Sequence, residues 1–210
     1  PGSINFSAIT LQNAASMPTT QLTLSGGVLW NSSHVNVVSF YLSSADLAFL
    51  DANSMIARST ANTFMSLTVG VVIDANGNLA AEISQTNALP VGLFILDSTP
   101  PLLLNFDLNM DNGVLVLEFS KLVNPSSFIV SSYTLQSDNS SMPTYSVQLS
   151  SGSQPSTANN NATLVVPLSM VDILSIKQNL GLAKNPSTTY LSIQQGAVKD
   201  IYNNLLPTVT

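Results

Sequence analysis

The chain has 210 residues, 5 Lys+Arg, 11 Asp+Glu, one His and no Cys, and a formal net charge of −6. Five dispersed cations (Arg58, Lys121, Lys177, Lys184, Lys199) cannot neutralise a phosphate backbone, and the lack of cysteine removes disulfides, thiolate metal sites and Cys nucleophiles. Charged residues are only 8 % of the chain, while 31 Ser, 17 Thr and 21 Asn supply about a third of it, so its polar surface is built from hydroxyls and amides.

Taken in chain order, Pro1-Gly2-Ser3-Ile4 carries no signal peptide and suggests a processed product or a fragment. Short alternating strands follow at Ile9–Gln12, Gln21–Leu24, Val35–Leu42 and Phe64–Val69. Between the last two, Ser43-Ser44-Ala45-Asp46 fits a helix start, with Ser as N-cap and a carboxylate three positions on. Leu47 and Leu50 then fall three apart and should dock one face, so the helix should bridge two sheets across one end.

The second half begins near Asp97-Ser98-Thr99-Pro100-Pro101. Asn105–Leu108 and Val114–Phe119 flank Met110-Asp111-Asn112-Gly113 and read as a hairpin, with Leu115, Leu117 and Phe119 on one face. Tyr133–Gln136, Tyr145–Leu149, Ala162–Val166 and Thr189–Ile193 continue the strand pattern, and Ser169-Met170-Val171-Asp172 repeats the helix start, followed by Ile173 and Ile176. Asp46 and Asp172 are better explained as caps than as catalytic acids. No run of about 18 apolar residues is present to span a membrane.

The halves are copies. Pro1–Gln12 aligns with Pro125–Gln136 at an offset of 124, and residues 42–79 overlay 168–205 without a gap, with 12 identities in 38 positions. Copy two contains Asp97–Asn124 ahead of its Pro125, whereas copy one begins at the equivalent of Pro125 and lacks about 28 residues. A β-domain cut there exposes an unpaired edge and an open core. The expectation is an all-β chain of tandem β-sandwiches, each with one short capped helix: residues 1–96 lacking their first strands, and 97–210 complete.

The complete copy resembles the SbsA-type bacterial immunoglobulin-like domain. The resemblance rests on Asp97-Ser98-Thr99-Pro100-Pro101, Leu117-Glu118-Phe119-Ser120-Lys121-Leu122-Val123-Asn124, Thr189–Ile193 and Gly196–Leu205. That last segment resembles the family's closing Asp-x-x-Gly-Asn turn with Asn203 in place of glycine; copy one keeps the usual form in Asp74-Ala75-Asn76-Gly77-Asn78. The resemblance implies an Ig-like spacer or building block of surface and adhesive proteins, with no catalytic residues to carry over. The short helix and low charge depart from the bacterial pattern and fit a distant eukaryotic relative.

Candidate chemistry is sparse. Asp107-x-Asn109-x-Asp111 with Glu118 superficially resembles a Ca²⁺ loop, but the glycine is displaced to Gly113 and a hairpin turn fits better. A weak Ca²⁺ site between domains, using Asp97, Asp107, Asp111 or Asp200, is the alternative; no other cofactor is expected. A hydrolase would need His34 beside a Ser and a carboxylate, with no Gly-x-Ser-x-Gly context to support it. Trp30 and the tyrosines suit a core or interface more than sugar stacking. Sequons stand at Asn5, Asn31, Asn139 and Asn161; the last three lie in loop-like stretches, while Asn5 aligns with a strand-like Ile129.

These features predict a non-enzymatic, self-assembling glycoprotein subunit or repeat segment of an extracellular filament, appendage or surface layer. Its partners would be copies of itself or adjacent repeats, and a strand from a neighbouring subunit or an upstream repeat would complete residues 1–96. The alternative is a cell-surface adhesin or receptor stalk that binds glycan or protein.

Overall fold

A computed structural model describes residues 4–30 and 37–210; Asn31 and His34 lie outside the described residues. Among the described residues the structure is predominantly β, with antiparallel sheets and two α-helices, and the chain divides into two compact units, Pro1–Leu96 and Asp97–Thr210.

Unit 1 contains β1 (Ile9–Gln12), β2 (Gln21–Thr23), β3 (Gly27–Trp30), β4 (Ser39–Leu42), α1 (Ser44–Ala52), β5 (Phe64–Leu67) and β6 (Leu89–Pro90). One sheet has the order β2-β1-β5-β6, and β3 pairs with β4 in a separate two-stranded sheet. Unit 2 contains β7 (Leu103–Asn109), β8 (Val114–Asn124), β9 (Tyr133–Gln136), β10 (Ser146–Gln148), β11 (Asn161–Pro167), α2 (Met170–Gln178), β12 (Tyr190–Ile193) and β13 (Lys199–Asp200). Its sheets run β10-β9-β12 and β11-β8-β13, with β7 also on β8.

The units share one design. β1, β2 and β5 hold the places of β9, β10 and β12, in the same order. Backbone bonds recur in pairs: Leu24 N–H to Ile9 C=O matches Leu149 to Tyr133, and Leu67 to Ile83 matches Ile193 to Val209. Strain recurs too, since Ala57 (φ 52°) and Ala183 (φ 55°) are both left-handed. In the closing turn Asn203 at φ 68° stands where Gly77 has φ 87°; asparagine tolerates this region better than other side chains, so the motif survives the replacement.

Both helices start where the Ser-x-x-Asp pattern places them. Ser43 Oγ accepts the Asp46 amide, and Ser169 Oγ accepts the Asp172 amide, each at 3.1 Å. The carboxylates reach further than caps. Asp46 accepts the Ser25 amide and Asp172 the Ser150 amide through both oxygens, at 3.0–3.1 Å, fastening each helix to the chain just after β2 or β10. In unit 2 the N-cap amide of Ser169 donates to Ser153 Oγ at 2.7 Å, and Ser153 donates on to Asp172, so a serine relays the reciprocal half of the capping box. At the other end of α1, Arg58 Nη2 donates to Leu50 C=O (2.8 Å), Asp51 C=O (3.1 Å) and Asn53 C=O (3.2 Å), placing positive charge where the helix dipole is negative.

The expected 105–119 hairpin is β7–β8, in the register Asn109↔Val114, with Leu115, Leu117 and Phe119 all buried. Other expectations are corrected. Ile129 is not in a strand; it precedes a 3₁₀ turn at Val130–Ser132 and is half exposed. Leu47 does not dock beside Leu50: it is 48 % exposed while Leu50 is buried. Gly27–Trp30, outside the strands expected above, is the strand β3.

The cores differ sharply. In unit 2, twenty buried residues from Leu115 to Leu206 form one cluster. In unit 1 the corresponding cluster has, among the described residues, only Ala8, Ile9, Leu24 and Val71 fully buried, with Leu11, Phe40, Leu42, Met65, Leu67 and Val72 merely half-buried.

Candidate functional site

The feature that distinguishes unit 1 is the side of β4 turned away from β3. In unit 2 the same side of β11 carries β8, with Val165↔Val116, Val166↔Leu115 and Pro167↔Val114 opposite one another. The other side of β11 is bonded by Ser156, whose amide donates to Val165 C=O at 2.8 Å, matching Trp30 opposite Ser39 in the β3–β4 pair. Among the described residues β4 pairs with β3 alone, so Ser39, Phe40 and Tyr41 face a strand-shaped gap where their sister residues meet β8.

Side chains beside this gap are uncovered in a consistent way. Val38 is 47 % exposed where Leu164 is 0 %, and Leu11, Phe40, Leu67 and Val72 are half-buried where Leu135, Val166, Ile193 and Val198 are fully buried. The differences trace to β8, whose Leu115, Leu117, Phe119 and Val123 belong to the unit 2 core. The β7–β8 turn adds to this cover. Gly113 lies against Ile173 of α2, and the Gly113 C=O accepts the Leu168 amide at 2.8 Å. Leu47, the counterpart of Ile173, remains outside.

The polar end of the gap tells the same story. Asp200 is fully buried, accepts the amides of Tyr202 and Asn204 at 2.8 Å, and lies 3.4 Å from Lys121 Nζ of β8. Lys121 also pairs with Asp97 and donates to Thr99 C=O at 2.8 Å. Burial pushes the Asp97 carboxyl up, but the hydrogen bonds from Lys121 and the Thr99 amide outweigh it and hold it below the ordinary carboxylate value. Burial likewise opposes the Lys121 charge, yet its acidic partners raise its pKa. Asp74, the counterpart of Asp200, makes the same turn, accepting Asn76 N, Asn78 N and Asn78 Nδ2 at 2.8 Å, but it is exposed.

The other candidates are dispersed. Asp107 is an exposed residue of β7, and Asn109 Oδ1 accepts the amides of Asp111 (2.9 Å) and Asn112 (3.2 Å), which closes the hairpin turn. Among the described residues no three His, Cys, Asp or Glu side chains gather as a metal site. Asn5 and Asn139 are exposed outside strands, with Asn5 Oδ1 accepting Ser7 Oγ at 2.7 Å. Asn161 is exposed but begins β11 rather than lying in a loop, and its Oδ1 accepts the Thr163 amide at 3.0 Å. Trp30 stacks on Tyr41 with ring centroids 5.7 Å apart and planes 18° off parallel, and both are mostly exposed. A groove of about 520 Å³ is lined by Phe106, Met110, Asp107, Lys184, Asn185 and Thr189.

No described helix is long and apolar enough to cross a membrane. Half-buried apolar side chains look identical in sequence to buried ones, so the depth of the difference between the two halves is visible only in the structure. Compared with known proteins, the chain matches no family model, no curated protein and no solved structure.

Proposed function

We propose that the chain is a non-enzymatic structural segment of an extracellular filament, appendage or surface layer, built from tandem Ig-like β-sandwiches of the SbsA type. One observation carries this reading: two units of the same design stand in tandem, one with a closed core and one with an open strand edge. Edge strands are a route to association, and soluble proteins usually guard them with charge or cover. β4 (Ser-Phe-Tyr-Leu) has no charged residue, and only 8 % of the whole chain is charged. In this reading a neighbouring subunit or an upstream repeat completes unit 1, and glycans on exposed sequons shield the remaining faces.

Electron microscopy and mass measurement of the native material test this role. Regular polymers or arrays are expected; a dispersed monomer at native concentration contradicts it. The exposed Trp30–Tyr41 stack favours a second reading, a surface adhesin whose aromatic face packs on a glycan or protein. That reading predicts a monomer whose ligand binding is lost in Trp30→Ala.

A further inference from the structure

We infer that unit 1 binds one extended β-strand of the β8 type, laid antiparallel on the free side of β4; this rests on the structural reading above and specifies its partner. The chemistry of the partner follows from the sister unit. Opposite Tyr41, Phe40 and Ser39 it places residues in the positions of Val114, Leu115 and Val116, because β11 holds its strand in that register. Alternate residues in the positions of Leu115, Leu117 and Phe119, followed by one in the position of Val123, are apolar. They cover Val38, Phe40, Leu11 and Val72, whose counterparts are buried only where β8 is present.

The strand also carries a cation two residues before its last apolar contact. In β8 this is Lys121, which approaches the turn aspartate Asp200; in unit 1 the same turn presents an exposed Asp74. Backbone bonds to the edge supply affinity, alternate side chains in apolar pockets supply register, and the cation fixes the direction of entry. A one-residue slip would turn every apolar side chain to solvent, so the register is strongly specified.

The test uses the full 210-residue chain and a labelled peptide with the sequence of Val114–Asn124. Saturable one-to-one binding is expected, with slowed amide exchange at residues 38–42 and 72–74 and unchanged exchange at residues 161–168. A peptide bearing Leu115→Ser, Leu117→Ser and Phe119→Ser should bind at least about 10-fold more weakly, and so should the wild-type peptide to a Val38→Asp chain. A second measurement guards against a peptide too flexible to bind: residues 102–124 fused ahead of Pro1 should raise the melting temperature of unit 1. Failure of both, equal binding by the serine peptide, or protection confined to unit 2 overturns the inference. Strand uptake by a chain that never assembles would leave this inference standing and remove the structural role. Assembled material whose β4 amides stay unprotected would do the reverse.

Discussion

A Cβ added to Gly113 would stand 2.5 Å from Cδ1 of Ile173, so the β7–β8 turn rests directly on α2. Gly113 also has φ 66°, a conformation that costs a side chain about 1–2 kcal/mol. Gly113→Ala should therefore lower the stability of unit 2 by at least about 1 kcal/mol in urea unfolding. Leu47, the counterpart of Ile173, is 48 % exposed, so Leu47→Ser should leave the free chain within about 0.5 kcal/mol of wild type. An equal loss from both changes would mean that unit 1 is already covered.

Tyr133 is fully buried and stacked on Phe128 at 4.4 Å, yet its hydroxyl has no hydrogen-bond partner among the described residues. Burial raises its pKa strongly, so it remains a neutral phenol at all working pH values. An unpaired buried hydroxyl costs about 1–3 kcal/mol, and the counterpart position in unit 1 is the apolar Ile9. Tyr133→Phe should raise stability by about 1 kcal/mol, measured by thermal and urea unfolding.

Both halves should respond to acid. In unit 1 burial works against the Asp46 charge, but the Ser25 amide and the Ser43 and Ser25 hydroxyls hold its carboxyl below the ordinary value. Asp97 in unit 2 is lowered by Lys121 against its own burial. A depressed folded pKa stabilises fully above the unfolded value of about 4 and is lost as pH falls through the folded value. Lys121, with a raised pKa, stabilises below about pH 10.4 and loses this as pH rises through its folded value. Lys121→Met should abolish the alkaline loss and reduce the acid loss in unit 2. A pH–stability curve that is unchanged in the variant would show that the ion pair contributes nothing.

Ala57 and Ala183 occupy the left-handed region after α1 and α2. Glycine meets no Cβ penalty there, although it gives the unfolded chain more freedom to lose. Ala57→Gly and Ala183→Gly should each stabilise their own unit by up to about 1 kcal/mol, with no effect on the other. Melting curves resolved by unit would show it.

The helices and the β7–β8 hairpin were legible because each is announced locally. Ser43 and Ser169 begin helices with Asp three positions on, and Asn112-Gly113 closes a turn between alternating strands. What Asp46 and Asp172 hold was not legible: Ser25 and Ser150 lie more than twenty residues away, and nothing local marks that long-range bond. β3 was obscured by Gly26-Gly27 and by a run, Val28-Leu29-Trp30, that does not alternate. The repeat offset pointed to a missing segment, but only burial shows which side chains it uncovers. Val38 and Leu164 are equally apolar in sequence, and the difference between them is the presence of β8.

Amide hydrogen exchange resolved at β4 and β11, in the free chain and in native assembled material, tests the account most directly. In the free chain the amides of residues 39–42 should exchange far faster than those of 165–168, because one edge is open and the other is paired. In assembled material the two sets should become alike. Equal protection in the free chain, or a β4 edge that stays open in the assembly, would contradict the claim that unit 1 is completed by an added strand.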